Sequence, residues 1–212
     1  MKKNLQRKIL ITAGPTREYI DPVRYISNDS TGKMGIALGE AALNLGLKTT
    51  IICGPISIAT PNGAKIIDVI SAKDMRSAVL EQYKNHDIII MCAAVADFSP
   101  VRKSSHKVKK DKSSLEIKLK HNKDILMELG KRKSKSQTLV GFALETENLK
   151  KNALNKMKNK GCDWIIANDA KTIGKDKSKC YMFDKDGNEY KIPQLPKTDI
   201  AKIIMSYLIY TR

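Results

Sequence analysis

The sequence predicts an α/β fold: a three-layer αβα, Rossmann-like arrangement with an open, mostly parallel sheet and a small C-terminal β-hairpin. Short β-branched runs alternate with segments of helical spacing along most of the chain. Two of the runs, Lys8–Ala13 and Asp87–Cys92, are apolar nearly throughout, as expected where helices cover both faces of a sheet. Gly14-Pro15 and Gly54-Pro55 punctuate strand ends. With 212 residues, 42% of them hydrophobic, and neither repeat nor linker, the chain is expected to form one domain spanning 1–212.

Lys8–Ala13 is a buried strand that stops at Gly14-Pro15. Met34–Leu45 carries apolar residues at helical spacing, with Gly46 placed to end it. Lys48–Cys53 and Ile66–Ile70 are strands. Ala72–Tyr83 is a helix, with Ser71 as its N-cap and Asp74 in its first turn. After the strand Asp87–Cys92, the polar stretch Ser99–Ser114 is too long for a plain connection and suits a lid, binding loop or contact segment. Leu115–Leu119 alternates, which predicts a half-exposed strand, and Asn122 is placed to cap a helix from Lys123 to about Lys133. Thr138–Phe142 is a strand, Glu147–Lys160 a helix ended by Gly161, and Asp163–Ala167 a strand. Lys179–Phe183 and Glu189–Ile192 flank Asp186-Gly187, a hairpin signal, and Lys197–Tyr210 is a terminal helix behind Pro196.

Composition removes several classes. Lys and Arg number 39 against 22 Asp and Glu, a net charge of +17. That balance admits a nucleic-acid or anionic-ligand partner and excludes an acidic disordered protein. Residues 102–135 hold 13 Lys and Arg against 4 Asp and Glu, and residues 148–185 hold 10 against 4. Lysine outnumbers arginine, so most of this excess is expected to be solvated surface. No apolar run approaches the ~20 residues of a membrane span, and the run after Met1-Lys2-Lys3 breaks too early for a signal peptide. Cys53, Cys92, Cys162 and Cys180 are far apart, and His86, His106 and His121 are scattered. Neither set has metal-ligand spacing, so the expectation is a reduced, cytoplasmic protein without a protein-built metal site.

Ligands of an open α/β sheet bind beyond the carboxyl ends of its strands. The segments after Ala13, Cys53, Cys92 and Phe142 are therefore the candidates. Ser30, Thr31 and Gly32 precede a helix, where hydroxyls and free backbone N–H groups can face an anion; an ordinary capped helix is the alternative. Neither a GxGxxG nor a GxxxxGK[ST] motif is present. Cys92-Ala93-Ala94-Val95-Ala96-Asp97-Phe98 combines small residues, which let a flat group approach the backbone, with an aspartate at a strand's carboxyl end. Lys156 and Lys160 project from one helix face.

The segments ILITAGPTRE, IDPVRYISNDSTGKMG, CAAVADF, HKVKK, KDIL and LVGFALET occur in this order. Together they resemble phosphopantothenoylcysteine synthetase, strongly from Ile9 to about Ala170. The resemblance implies a ligase of coenzyme A biosynthesis. The carboxylate of 4′-phosphopantothenate attacks the α-phosphate of a nucleoside triphosphate, pyrophosphate leaves, and the amine of L-cysteine attacks the acyl-nucleotidylate. The family's bacterial branch uses CTP and its eukaryotic branch ATP. The cluster Lys107-Val108-Lys109-Lys110 looks like the bacterial branch, with Mg2+ accompanying the nucleotide.

The resemblance also assigns residues. Lys107 matches the lysine that forms the acyl-nucleotidylate. Asn28 matches the asparagine that handles it, its amide placed to donate to the activated carbonyl. Ser30, Thr31, Gly32, Met91, Cys92, Ala93, Asp97 and Lys107 match nucleotide contacts, as do Phe142, Lys156 and Lys160. Lys123, Asp124, Ile125 and Leu126 match a segment that contacts the base through backbone groups. Arg24, Asn28, Ala93 and Ala94 match contacts to the acid substrate. Lys123 stands where the family usually has proline, Thr31 where serine is frequent, and Met91 is bulkier than usual. The resemblance further implies a homodimer, with 115–119 and the preceding loop as contact, and a free-standing synthetase served by a separate decarboxylase.

Two other classes fit less well. A nicotinamide-dependent reductase would need the glycine fingerprint and an acidic ribose ligand where Cys53-Gly54-Pro55 stands. A nucleic-acid-binding module would draw on the charge, but the chain has one Trp, three Phe and no RRM, KH or zinc-finger pattern.

Overall fold

A computed structural model describes residues 7–109, 115–145, 147–169 and 176–211. The first half contains β1 (Lys8–Ala13), β2 (Arg17–Tyr19), β3 (Tyr25–Ser27), α1 (Lys33–Asn44), β4 (Lys48–Cys53), β5 (Lys65–Asp68), α2 (Ala72–Gln82) and β6 (Ile88–Met91). Then follow β7 (Phe98–Pro100), β8 (Leu119–His121), α3 (Ile125–Arg132), β9 (Thr138–Glu145), α4 (Leu149–Lys160), β10 (Trp164–Asp169), β11 (Lys177–Asp184), β12 (Glu189–Pro196) and α5 (Lys197–Tyr210).

Eight strands form one sheet in the order β12-β11-β10-β9-β6-β1-β4-β5. The six from β10 to β5 are parallel, and β11 and β12 continue the same sheet as an antiparallel edge. The expected C-terminal hairpin is thus an extension of the main sheet. β1 lies near the middle and has no solvent-facing side. Its Ile9, Ile11 and Ala13 belong to the layer with α1 and α5, and its Leu10 joins Ile52 under α2 and α3. α4 covers Ile165 and Ala167 of β10. Covered strands of this kind are the physical reason for runs without alternation.

Local chemistry sets the helix starts. Ser71 and Asp74 form a reciprocal capping box on α2, and the buried Glu18 carboxylate accepts the Ala72 N–H at 2.7 Å. The cap of α3 differs from expectation. Asp124, not Asn122, accepts the Met127 N–H at 2.8 Å, and the Asn122 amide instead donates to the Ala96 carbonyl at 2.8 Å. Asn122 lies beside the loop after β6, whose carbonyl would otherwise lack a partner. The strand expected over Leu115–Leu119 begins only at Leu119, where β8 pairs with β7 inside the supposed long loop. Lys110–Ser114, including one lysine of the HKVKK cluster, lie outside the described residues.

α1 sits unusually close to β1. Gly32 precedes it at φ 76°, and a Cβ on Gly35 would stand 2.5 Å from the Ala13 Cβ. Gly35→Ala should therefore destabilise the fold by about 1–3 kcal/mol through overpacking. Urea unfolding measures this, and an unchanged midpoint would contradict the close contact.

Candidate active site

From β1 the chain crosses to β4 and β5 on one side, and it returns to β6 on the other. The loops leaving β1 and β6 therefore diverge, which is where open α/β sheets bind ligands. The divergence is bridged by threonines. The buried Thr12 hydroxyl accepts from the Cys92 and Ala93 N–H groups at 3.1 Å each, and the buried Thr16 hydroxyl accepts from Ala96 N–H at 3.0 Å. Ala94 N–H donates to the Gly14 carbonyl at 2.9 Å.

Above this seam lies a cleft of about 480 Å³ lined by Asn28–Gly35, Cys92–Val95, Asp97, Phe142 and Lys156, among others. It continues into a second compartment of about 480 Å³ bounded by Met91, His121–Leu126, Phe98 and Lys160. Ala93, Val95, Asp97, Phe142 and Lys156 line both. The structure thus brings together Asn28, Ser30, Thr31, Gly32, Met91, Cys92, Ala93, Ala94, Asp97, Lys123–Leu126, Phe142, Lys156 and Lys160. Residues after Cys53 do not join them. Gly54–Ile56 line a separate depression with Arg17 and Asp68, because Ile56 packs beneath Gly14 and Gly32.

The polar groups of the cleft are held in place. Asn28 Nδ2 donates to the Ala94 and Val95 carbonyls, both at 3.1 Å. The amide's donor end, expected to face a carbonyl of the substrate, is thus committed to the loop after β6, and Oδ1 is its remaining polar atom. Lys156 Nζ donates to the Phe142 carbonyl at 2.8 Å, and Lys160 pairs with Asp124 across α4 and α3. That lysine holds the Asp124 carboxyl below its ordinary value against the opposing effect of burial. Burial pushes the Cys92 thiol up to about 12, so it stays protonated and is no nucleophile at neutral pH. Among the described residues no group of three or more His, Cys, Asp or Glu side chains is arranged to hold a metal ion.

Arg24 and Lys107 lie outside the lining of both compartments. The Arg24 guanidinium forks onto buried Asp21, with Nε at 3.0 Å, and donates to the Val108 carbonyl at 2.8 Å. Asp21 also accepts the N–H groups of Val23 and Arg24 at 2.8 Å and of Val108 at 3.2 Å. Arg24 and Asp21 together form a clamp on the segment that carries the exposed Lys107. Three lining residues fall outside every motif quoted from the sequence, Asn168, Ser178 and Lys197, and Lys33 lies within a quoted motif without an assigned role. Extending the strand-end rule to β10 would have found Asn168. Ser178 and Lys197 arrive because the predicted hairpin joins the main sheet through β10, a pairing for which the local sequence carries no signal. Phe98 and His121, with ring centroids 4.6 Å apart, were also not singled out.

The Arg24 guanidinium holds the Asp21 carboxyl well below the usual carboxylate range. The clamp is therefore complete above the unfolded value of about 3.9 and is lost as pH falls below it towards the folded value. Asp21→Asn should speed amide exchange at Val108 about tenfold or more at neutral pH and leave exchange in α5 unchanged. Equal rates at Val108 would contradict the clamp.

A family model described as DNA/pantothenate metabolism flavoprotein C-terminal domain matches residues 5–210. Over 200 residues the chain is 48% identical to the Coenzyme A biosynthesis bifunctional protein CoaBC of Bacillus subtilis, covering 92% of this chain and 49% of that protein. It is 43% identical over 204 residues to the protein of the same name from Borreliella burgdorferi, covering 95% and 52%. The chain thus spans about half the length of these curated relatives. A crystal structure of the C-terminal domain of a CoaBC protein superposes with a TM-score of 0.83 at 39% identity, covering 97% of this chain and 96% of that one. By sequence along nearly its whole length and by fold, the chain belongs to the DNA/pantothenate metabolism flavoprotein C-terminal domain family.

Proposed function

We propose that this chain is a phosphopantothenate–cysteine ligase that joins 4′-phosphopantothenate to L-cysteine through an acyl-cytidylate, converting CTP to CMP and pyrophosphate. The observation that carries this reading is one continuous cleft at the switch point, onto which motifs far apart in sequence converge. Kinship with half of a bifunctional coenzyme A biosynthesis protein supports it.

In this reading the base occupies the second compartment, whose lining of Phe142, Lys123–Leu126, Lys156 and Lys160 supports that choice. On the same reading the phosphates lie towards Asp97, and Lys107, on the segment clamped by Arg24 and Asp21, is the lysine assigned to acyl-nucleotidylate formation. In the first step a carboxylate oxygen of phosphopantothenate attacks the α-phosphorus and the bond to pyrophosphate breaks. The carboxylate is already ionised at neutral pH, so this step needs positioning and charge neutralisation, not a base. In the second step the cysteine amine attacks the activated carbonyl, CMP leaves, and the amine loses a proton. Asn28 holds the loop after β6 and keeps Oδ1 for the incoming substrates. Mg2+ fits a site with few carboxylates, because this ion keeps its waters and binds mainly through substrate phosphates; among the described residues the acidic groups lining the two compartments are Asp29, Asp97 and Asp124, the last paired with Lys160. The product passes to a decarboxylase. Val23, Tyr25, Phe98, Val101 and Leu119 are exposed apolar residues of the neighbouring β2–β3 and β7–β8 ribbons and suit a homodimer contact, which light scattering tests.

Phosphopantothenate, L-cysteine, Mg2+ and CTP should together yield pyrophosphate and CMP. Failure with every nucleotide would sink the reading, and faster turnover with ATP would overturn only the choice of CTP. Lys107→Gln should slow pyrophosphate release roughly 100-fold or more. Asn28→Asp sets a carboxylate against the Ala94 and Val95 carbonyls and should impair product formation more than it slows that release. Identical behaviour of the two variants would refute this division of roles.

A further inference from the structure

At the end away from the second compartment, the cleft closes on a polar corner that the two steps above leave unused. The carboxyl end of β10, the first residues of β11 and the start of α5 meet the start of α1 there, contributing Asn168, Ser178, Lys197 and Lys33. Ser178 is fully buried. Among the described residues neither its Oγ nor the Asn168 Oδ1 has a hydrogen-bond partner. Buried polar atoms are rarely left so, because each forfeits its bonds to water. Two of them at one end of a cleft call for a ligand that completes them.

The charges narrow the ligand's chemistry. Burial and the nearby Lys33 ammonium both lower the pKa of Lys197. The carboxylate that answers these cations, Asp176, is exposed and pairs with Lys33 at 2.6 Å. A half-buried ammonium beside an unpaired hydroxyl favours an anionic group. The Asn168 Oδ1 accepts only, so it favours an N–H donor. A phosphate brings the first and not the second, whereas a small amino acid brings both. The wall beside the corner is soft, with the protonated Cys92 thiol and Met34, and tolerates a ligand sulfur.

We propose that this corner seats the amino-acid co-substrate, its carboxylate on Lys197 and Ser178 and its amine towards Asn168. The assignment rests on the ligase reading and names the acceptor's subsite within it. The amine nitrogen forms a bond to the activated carbonyl carbon, the bond from that carbon to the nucleotide's phosphate oxygen breaks, and the proton goes to solvent.

The test compares L-cysteine with cysteamine, which lacks the carboxylate, as acceptors. The preference in kcat/KM for L-cysteine should fall about 10- to 100-fold in Lys197→Met. Ser178→Ala removes an unpaired hydroxyl, so it should raise the melting temperature while raising the KM for L-cysteine. A rise in nucleotide KM with the preference unmoved would assign the corner to phosphates and overturn the proposal, as would no change in either. If the unsubstituted chain shows no turnover with any nucleotide, the ligase reading falls separately. Calorimetric titration with L-cysteine then decides the corner: binding that is lost in Lys197→Met supports an amino-acid site, and equal or absent binding in both overturns it.

Discussion

Two buried threonine hydroxyls make the cleft possible. Where β1 and β6 part, their ladder of hydrogen bonds ends, and the N–H groups of Cys92, Ala93 and Ala96 would be left without strand partners. Thr12 and Thr16 accept all three. The chain after Met91 can therefore leave the sheet with its small residues open to solvent on one side and its backbone satisfied on the other. Asn28 completes the seam from above by taking the carbonyls of Ala94 and Val95. Anything bound over Ala93 and Ala94 meets a floor that is already rigid, and such preorganisation favours transition-state stabilisation.

The charge has a clearer division than its total suggests. Three cations around the cleft are anchored to named groups: Lys160 to Asp124, Lys33 to Asp176, Lys156 to the Phe142 carbonyl. Elsewhere, Glu128 binds Arg76 and Arg132 and ties α2 to α3, and Lys133 pairs with Asp163 beneath β9. Exposed pairs such as Lys202 with Asp199 add at most about 1 kcal/mol each and serve solubility.

The parts of the fold that the sequence announced are those governed by local physics. Ser71 and Asp74 mark α2, Asp186-Gly187 marks the hairpin, and the apolar runs mark β1 and β6. The three-residue strands β2, β3 and β7 were not legible, because a period of two needs more residues to show itself, and β8 was expected four residues too early, over Leu115–Leu119. Asn122 and Asp124 are both good caps, and only the nearby Ala96 carbonyl decides between them. Most residues lining the two compartments were visible through a shared motif order. Ser178 and Lys197 were not, since one looks like a strand serine and the other like a first-turn lysine until β11 folds back along β10.

The placement of α5 bears on how the chain matures. Its first residue completes the wall opposite the start of α1, so the cleft draws on residues separated by most of the chain's length. Synthesis delivers β1 before β6, so β1 lacks one neighbour until β6 is made, and the corner lacks one side until Lys197 has emerged. Contacts of such sequence separation form slowly. The cleft is therefore complete only once α5 has been made and has docked, and a ligand held between α1 and α5 would add its binding free energy to that state alone.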